Sequence, residues 1–205
     1  MQIISLDRDV PEVWNIGPAA RALQAGELVI VPTDTVYALC CDPWDAGAVA
    51  RLYAAKAMDK SKRCAVACRD LKDIGAVGRA VGDAAFRFIK THLPGPYTVL
   101  LNASWDLPRR ATGGRKTIGV RIPNHIVCQS LAEEFGRPLL VTSIPFDEDG
   151  IEIDPVEAAK RLYKKPAVIL DQGPQFPQPS TVVDFTVDPP ELVRQGQGEL
   201  DIILD

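Results

Sequence analysis

From one end of the chain to the other, short apolar runs alternate with segments of helical periodicity, which leaves few folds open to it. After a β-like start at Gln2–Leu6, Val13, Ile16, Ala20 and Leu23 recur at helical spacing between Pro11 and Ala25, which predicts a helix ended by Gly26. Leu28–Val31 reads as a buried strand closed by Pro32. Asp45 has the chemistry of an N-cap for a helix carrying Val49, Leu52 and Tyr53 on one face. Further strands are predicted at Cys64–Cys68, Tyr97–Leu101, Thr117–Ile122, Leu139–Ser143, Ala167–Leu170, Thr181–Phe185 and Glu191–Arg194. Of these, Thr181–Phe185 alternates poorly and is expected to be buried on both faces. Helices are predicted from Asp83 through Ile89, over Ile126–Phe135, and from Asp154-Pro155 with Ala158 and Leu162 inward. Such a pattern predicts an α/β fold. Several strand pairs are joined by fewer than the roughly dozen residues a parallel crossover takes, so the expected sheet is twisted, mixed parallel/antiparallel and flanked by helices.

With 205 residues, 46% hydrophobic and 24% charged, the chain has the make-up of a globular protein, read as a single domain over 1–205. No apolar run approaches the roughly 20 residues that cross a bilayer. The first residues, Met1 to Asp7, lack the basic start and apolar stretch of a signal peptide, so a cytoplasmic protein without a membrane partner is expected. Cys40, Cys41, Cys64, Cys68 and Cys128 follow no disulfide spacing and read as packing thiols in a reducing compartment. The only histidines, His92 and His125, form no paired motif with them, and no metal site is expected.

The net charge of −4 hides a segregation. Residues 56–63 carry four bases against one acid and residues 109–121 carry five bases and no acid, which leaves −12 on the remaining chain. Basic loops on an acidic protein suit an anionic ligand, because local potential and donors matter more than the total. Whole-surface binding of nucleic acid is disfavoured by a pI near 5.3, which leaves room for a local footprint.

Familiar catalytic signatures are absent: there is no G-x-S-x-G elbow, no complete G-x-x-x-x-G-K-[ST] loop around Gly113–Thr117, and no G-x-G-x-x-G opening a helix. Gly196-x-Gly198 lacks the third glycine and the helix, and His125 with Cys128 lacks an orienting third group. What remains is a set of hydroxyl, lysine and arginine side chains at strand ends. Thr33, Asp34, Thr35 and Tyr37 follow the strand at 28–31 and project from its C-terminal edge, where α/β sheets bind ligands. This composition suits adenylation, where positioning and charge neutralisation carry much of the work and no nucleophilic side chain is required.

Five segments then carry a resemblance: Pro32-Thr33-Asp34-Thr35-Val36-Tyr37-Ala38-Leu39, Pro94-Gly95-Pro96-Tyr97-Thr98, Thr117-Ile118-Gly119-Val120-Arg121-Ile122-Pro123, Ser180-Thr181-Val182-Val183-Asp184, and Arg194. In order and approximate spacing they resemble the YrdC/YciO family, whose fold is the YrdC/RibB-type mixed sheet. The resemblance implies L-threonylcarbamoyladenylate synthesis from L-threonine, bicarbonate and ATP, with release of pyrophosphate, on the route to threonylcarbamoyladenosine in tRNA. It implies that Thr35, Arg121 and Ser180 bind threonine. Lys62, Thr117, Ser143 and Arg194 are implied on the nucleotide, with Mg²⁺ on the phosphates of ATP, and Lys56 as the lysine of a catalytic K-x-R element. Lys56, Lys62, Arg121 and Arg194 are accordingly expected to converge on one cavity.

The departures from that pattern are Met58 for the arginine of K-x-R, Pro145 for the asparagine of S-x-N, and Ala67 for a histidine. Together with Cys68-Arg69-Asp70 and the basic loop at 109–116, they resemble the YciO branch. A lost charge-assisted hydrogen bond to phosphate costs about 1.5–3 kcal/mol, so Met58 implies a weak or specialised synthase. The alternative is a module on the same fold that binds double-stranded RNA or tRNA, or a small ligand, through its basic face.

Overall fold

The computed structural model describes residues 1–57, 64–145 and 153–200. In chain order its strands are β1 (Gln2–Ser5), β2 (Val29–Val31), β3 (Ala38–Cys41), β4 (Ala65–Ala67), β5 (Gly78–Arg79), β6 (Tyr97–Ala103), β7 (Thr117–Arg121), β8 (Leu139–Ser143), β9 (Val168–Asp171), β10 (Thr181–Asp184) and β11 (Glu191–Arg194). The helices are α1 (Gly17–Gln24), α2 (Ala46–Ala55), α3 (Leu71–Val77), α4 (Asp83–His92), α5 (Ile126–Phe135) and α6 (Pro155–Lys160). All strands join one sheet in the order β1-β9-β2-β3-β8-β4-β7-β6-β10-β11, with β5 beside β6. Pairings β1/β9, β2/β9, β4/β7 and β6/β10 are parallel. Pairings β2/β3, β3/β8, β4/β8, β6/β7, β5/β6 and β10/β11 are antiparallel, giving the mixed open sheet that the short connections require.

The pleat divides the apolar residues between two cores. On one face Ile30, Leu39, Val66, Val99, Val120 and Leu140 meet α2, α3, α4 and α6. On the other, Val29, Val31, Ala38, Cys40 and Val141 meet α1 and α5 through Ala20, Leu23, Val127 and Leu131. Thr98, Leu100, Gly119, Arg121 and Val182 lie along the continuation of this second face and line a cavity instead of a helix contact. That exposed half-face positions the site.

Local chemistry explains the helix ends. Asp45 caps α2, its Oδ1 accepting from the Gly47 and Ala48 amides at 2.7 and 3.0 Å, and Asp154 caps α6 in the same way. The helix expected over Pro11–Ala25 is shorter: Val13–Asn15 form a 3₁₀ turn and α1 begins at Gly17. Pro18 supplies the reason, because it lacks an N–H, restrains the residue before it and fits only the first turn. The short helix α3 escapes a periodicity search, since only Ile74 and Val77 supply its apolar contact; its signal is Asp70, which accepts from the Asp73 amide at 2.9 Å. The expectation that Thr181–Phe185 is buried on both faces is corrected: Thr181 and Val183 are buried, whereas Val182 faces the cavity and is half-buried. Among the described residues, no helix is long and apolar enough to cross a membrane.

Candidate active site

The cavity has a volume of about 460 Å³ and is built from strand ends. As β2 ends, the chain turns through Thr33 to Tyr37, and the turn is held by its own hydroxyls. Thr33 Oγ1 donates to the Val36 carbonyl at 2.6 Å and accepts from the Thr35 amide at 3.2 Å. From the end of β7, Arg121 reaches across to this turn, donating from Nη1 to Thr35 Oγ1 at 2.8 Å and from Nη2 to Asp34 Oδ1 at 2.5 Å. With its oxygen engaged by the guanidinium, Thr35 is left to donate to Thr33 Oγ1 at 3.1 Å, so the hydroxyl protons run in one direction. Asp34 Oδ2 accepts from the Asn124 amide at 3.1 Å, which uses both carboxylate oxygens. Arg121 is 7% exposed, and its Nε–H has no partner among the described residues.

The opposite wall is β10 with β11. Ser180 Oγ and Thr98 Oγ1 share a hydrogen bond of 2.8 Å. Arg194 clamps Ser180 by donating to its carbonyl from Nε and Nη2, at 3.1 and 2.7 Å, and to Oγ at 3.2 Å. Burial, and after it the charge of Arg121, pulls the Arg194 pKa below its usual value. Guanidinium remains charged in proteins; Arg121 is already paired with Asp34, whereas Arg194 faces the cavity with no carboxylate partner among the described residues, which favours an anion beside it.

The third wall is β8. Lys56, which closes α2, donates from Nζ to the Ser143 carbonyl at 2.5 Å and to Thr142 Oγ1 at 3.4 Å. Pro145 is half-buried two residues beyond Ser143. Tyr37 ties down the loop after β9: its hydroxyl donates to the Gly173 carbonyl and accepts from the Gln172 amide, both at 2.9 Å, and burial pushes its pKa up to about 12. Farther along that loop, Gln175 Nε2 donates to the Thr33 carbonyl at 2.8 Å and the Gln178 amide to the Thr35 carbonyl at 3.3 Å.

Thr35, Arg121, Ser180, Ser143 and Arg194 therefore line one cavity. Lys56 joins it through Ser143 and Thr142. Thr117 does not line it; it sits four residues before Arg121 on the same face of β7, near the opposite end of the strand. Lys62 and Met58 lie outside the described residues. Thr98 and Gly119 also line the cavity, and both stood inside the motif segments without being singled out.

Gly196 and Gly198 do not form a phosphate loop, but they have a packing role. A Cβ at Gly196 would lie 2.2 Å from the Pro179 carbonyl oxygen, and one at Gly198 would lie 2.4 Å from the Tyr97 ring. Only backbone this bare packs against Ser180 so closely, with the Gly196 amide donating to Thr181 Oγ1 at 2.9 Å.

No thiol here is poised for attack. Cys64 lines the cavity, and burial pushes its pKa up to about 11, so it is protonated at neutral pH. Burial raises Cys128 to about 12 and lowers the pKa of His125, whose Nδ1 has no partner among the described residues. Among those residues no group of three or more His, Cys, Asp or Glu is placed to hold a metal ion. The arrangement offers cations and hydroxyls: it can bind and orient anions.

Comparison with known proteins gives the site a context. The family model Sua5_yciO_yrdC, described as telomere recombination, matches residues 21–196. The uncharacterized protein YciO of Escherichia coli K12 is 34% identical over 201 residues, 97% of each chain, and its crystal structure matches with a TM-score of 0.82. The threonylcarbamoyl-AMP synthase of Pyrococcus abyssi is 32% identical over 99% of this chain, which spans 60% of that longer protein. The crystal structure of P. abyssi Sua5 complexed with L-threonine matches with a TM-score of 0.88 and 31% identity, over 96% of this chain and 58% of that one.

Proposed function

The chain belongs to the Sua5/YciO/YrdC family, and on that premise we propose that it is a nucleotide-binding enzyme that makes an adenylate from ATP, bicarbonate and a small amino acid, L-threonine foremost. The observation that carries this reading is Arg121: a buried guanidinium on the cavity wall, held from two sides by Thr35 and Asp34. A fork so held suits the amino acid's carboxylate, because its orientation is settled before the ligand arrives. Relatives named threonylcarbamoyl-AMP synthase, and a Sua5 structure holding L-threonine, support the choice of substrate.

In the proposed reaction the threonine amine and bicarbonate condense to a carbamate with loss of water. A carbamate oxygen then attacks the α-phosphorus of ATP, the new O–P bond replaces the bond to pyrophosphate, and pyrophosphate leaves. Arg121 and Thr35 hold the carboxylate side, and Ser180 orients the amine end. Arg194, Lys56, Lys62 and Ser143 serve the nucleotide, and Thr117, away from the cavity, takes no part in this reading. Mg²⁺ travels with the triphosphate and helps neutralise it. Neither step needs a protein nucleophile, which agrees with the protonated Cys64. The protein is read as working in the cytoplasm.

Calorimetric titration with L-threonine, and separately with ATP and Mg²⁺, tests the assignment. Arg121→Ala is expected to weaken threonine at least about tenfold, the effect of one charge-assisted hydrogen bond. Equal threonine affinity in folded Arg121→Ala would count against it.

A further inference from the structure

A second cavity, of about 610 Å³, lies between α2 and the turn that precedes β7. A flank of α2 supplies Val49, Ala50, Tyr53 and Ala54, an almost wholly apolar surface. The turn facing it carries Arg109 and Arg110 and is rigidly built. Thr112 Oγ1 bonds the Arg109 and Arg115 carbonyls at 3.0 and 2.9 Å, and the Gly114 amide donates to the Arg109 carbonyl at 2.7 Å. Both arginines are exposed, and neither pairs with a carboxylate among the described residues. They belong to the basic segment of which Arg121 alone lines the first cavity.

We propose that this second cavity binds an organic anion: a carboxylate or phosphate carried on an apolar or aromatic body. The two chemistries on its walls select for both halves of such a molecule. Unpaired guanidinium groups suit the oxygens of a carboxylate or phosphate, and the apolar floor favours a body that fills it, which inorganic phosphate or sulfate lacks. The volume lies within the roughly 300–1,000 Å³ of small-molecule sites. The two cavities are neighbours: the half-buried Tyr53 lines the second, Cys64 lines the first, and the two side chains influence one another.

The probe is 8-anilino-1-naphthalenesulfonate, whose fluorescence rises when its aromatic body leaves water, titrated into the full chain. One saturable site is expected, with at least about tenfold weaker affinity in Arg109→Ala/Arg110→Ala and for the uncharged N-phenyl-1-naphthylamine. Ala54→Trp, at an exposed helical position, is expected to abolish binding by filling the space. Arg194→Ala, on the first cavity, is expected to leave it unchanged. Circular dichroism verifies each fold; should Ala54→Trp unfold, the exposed arginine pair decides. In the Arg194→Ala background, displacement of the probe by octanoate identifies an aliphatic carboxylate, and displacement by adenosine monophosphate identifies a nucleotide. Binding that survives both second-cavity variants, or that is lost in Arg194→Ala, overturns the proposal. So does a probe that neither competitor displaces at millimolar concentration.

Discussion

Arg121 Nη2 and Asp34 Oδ1 lie 2.5 Å apart, with the two side chains only 9% and 11% exposed. The pair joins the end of β2 to the end of β7 across 87 residues of chain and fixes the guanidinium before any ligand binds. Removing one member of a buried pair leaves the other charge uncompensated. Asp34→Ala is therefore expected to lower unfolding free energy in urea by about 3–5 kcal/mol. Added L-threonine should recover part of that loss by binding the native state, whereas a loss under about 1 kcal/mol would show that water already compensates Arg121.

Gly119 sets the floor of the cavity. A Cβ there would stand 3.0 Å from Thr98 Cγ2 and 3.4 Å from both Ala65 Cβ and Leu100 Cδ2. Thr98 cannot yield without disturbing its hydrogen bond to Ser180. Gly119→Ala is expected to cost about 1–3 kcal/mol by overpacking and to weaken threonine binding in calorimetry. Full affinity in this variant would place the ligand away from Thr98 and Ser180.

Asp73 predicts a pH dependence. Burial alone would raise its pKa, but the Arg69 side chain and amide outweigh burial and hold it below the usual 3.8. Arg69 donates from Nε and Nη2 to the two carboxylate oxygens, each at 2.7 Å. A depressed native pKa stabilises the fold above the unfolded pKa, and that contribution is lost as pH falls through the native value. Asp73→Asn should therefore be less stable than wild type at pH 7, with the gap closing below about pH 4. A gap independent of pH would mean the ion pair is not its source.

Tyr53 carries a buried hydroxyl without a hydrogen-bond partner of good geometry among the described residues. Burial also raises its pKa. Because an unsatisfied buried hydroxyl costs about 1–3 kcal/mol, Tyr53→Phe is expected to be neutral or to stabilise the fold by about 1 kcal/mol in thermal unfolding. A loss of that size would reveal a bond from this hydroxyl to Cys64.

The strand ends and the arginine of the candidate site were legible because each lies in a local pattern: Arg121 ends an apolar run, and Ser180 opens one. Asp34 was visible as a turn residue but not as the partner of Arg121, since no local rule links residues 87 positions apart. Gly196 matched no phosphate motif, and its role comes from backbone touching Ser180 in space. The start of α1 was misplaced because periodicity ran past Pro18, where backbone chemistry overrides the apolar pattern. The second cavity was out of reach, since an α2 flank and a distant turn meet only in three dimensions.

Adenylate formation in the first cavity is tested most directly by pyrophosphate release with mass-spectrometric identification of the product. Release is expected only when ATP, Mg²⁺, bicarbonate and L-threonine are all present, with threonylcarbamoyl-AMP as the product. In Arg121→Ala it is expected to fall about tenfold to a hundredfold, from the loss of one or more charge-assisted hydrogen bonds. No pyrophosphate release with threonine or any other amino acid, or release indifferent to Arg121, would contradict adenylate formation in this cavity.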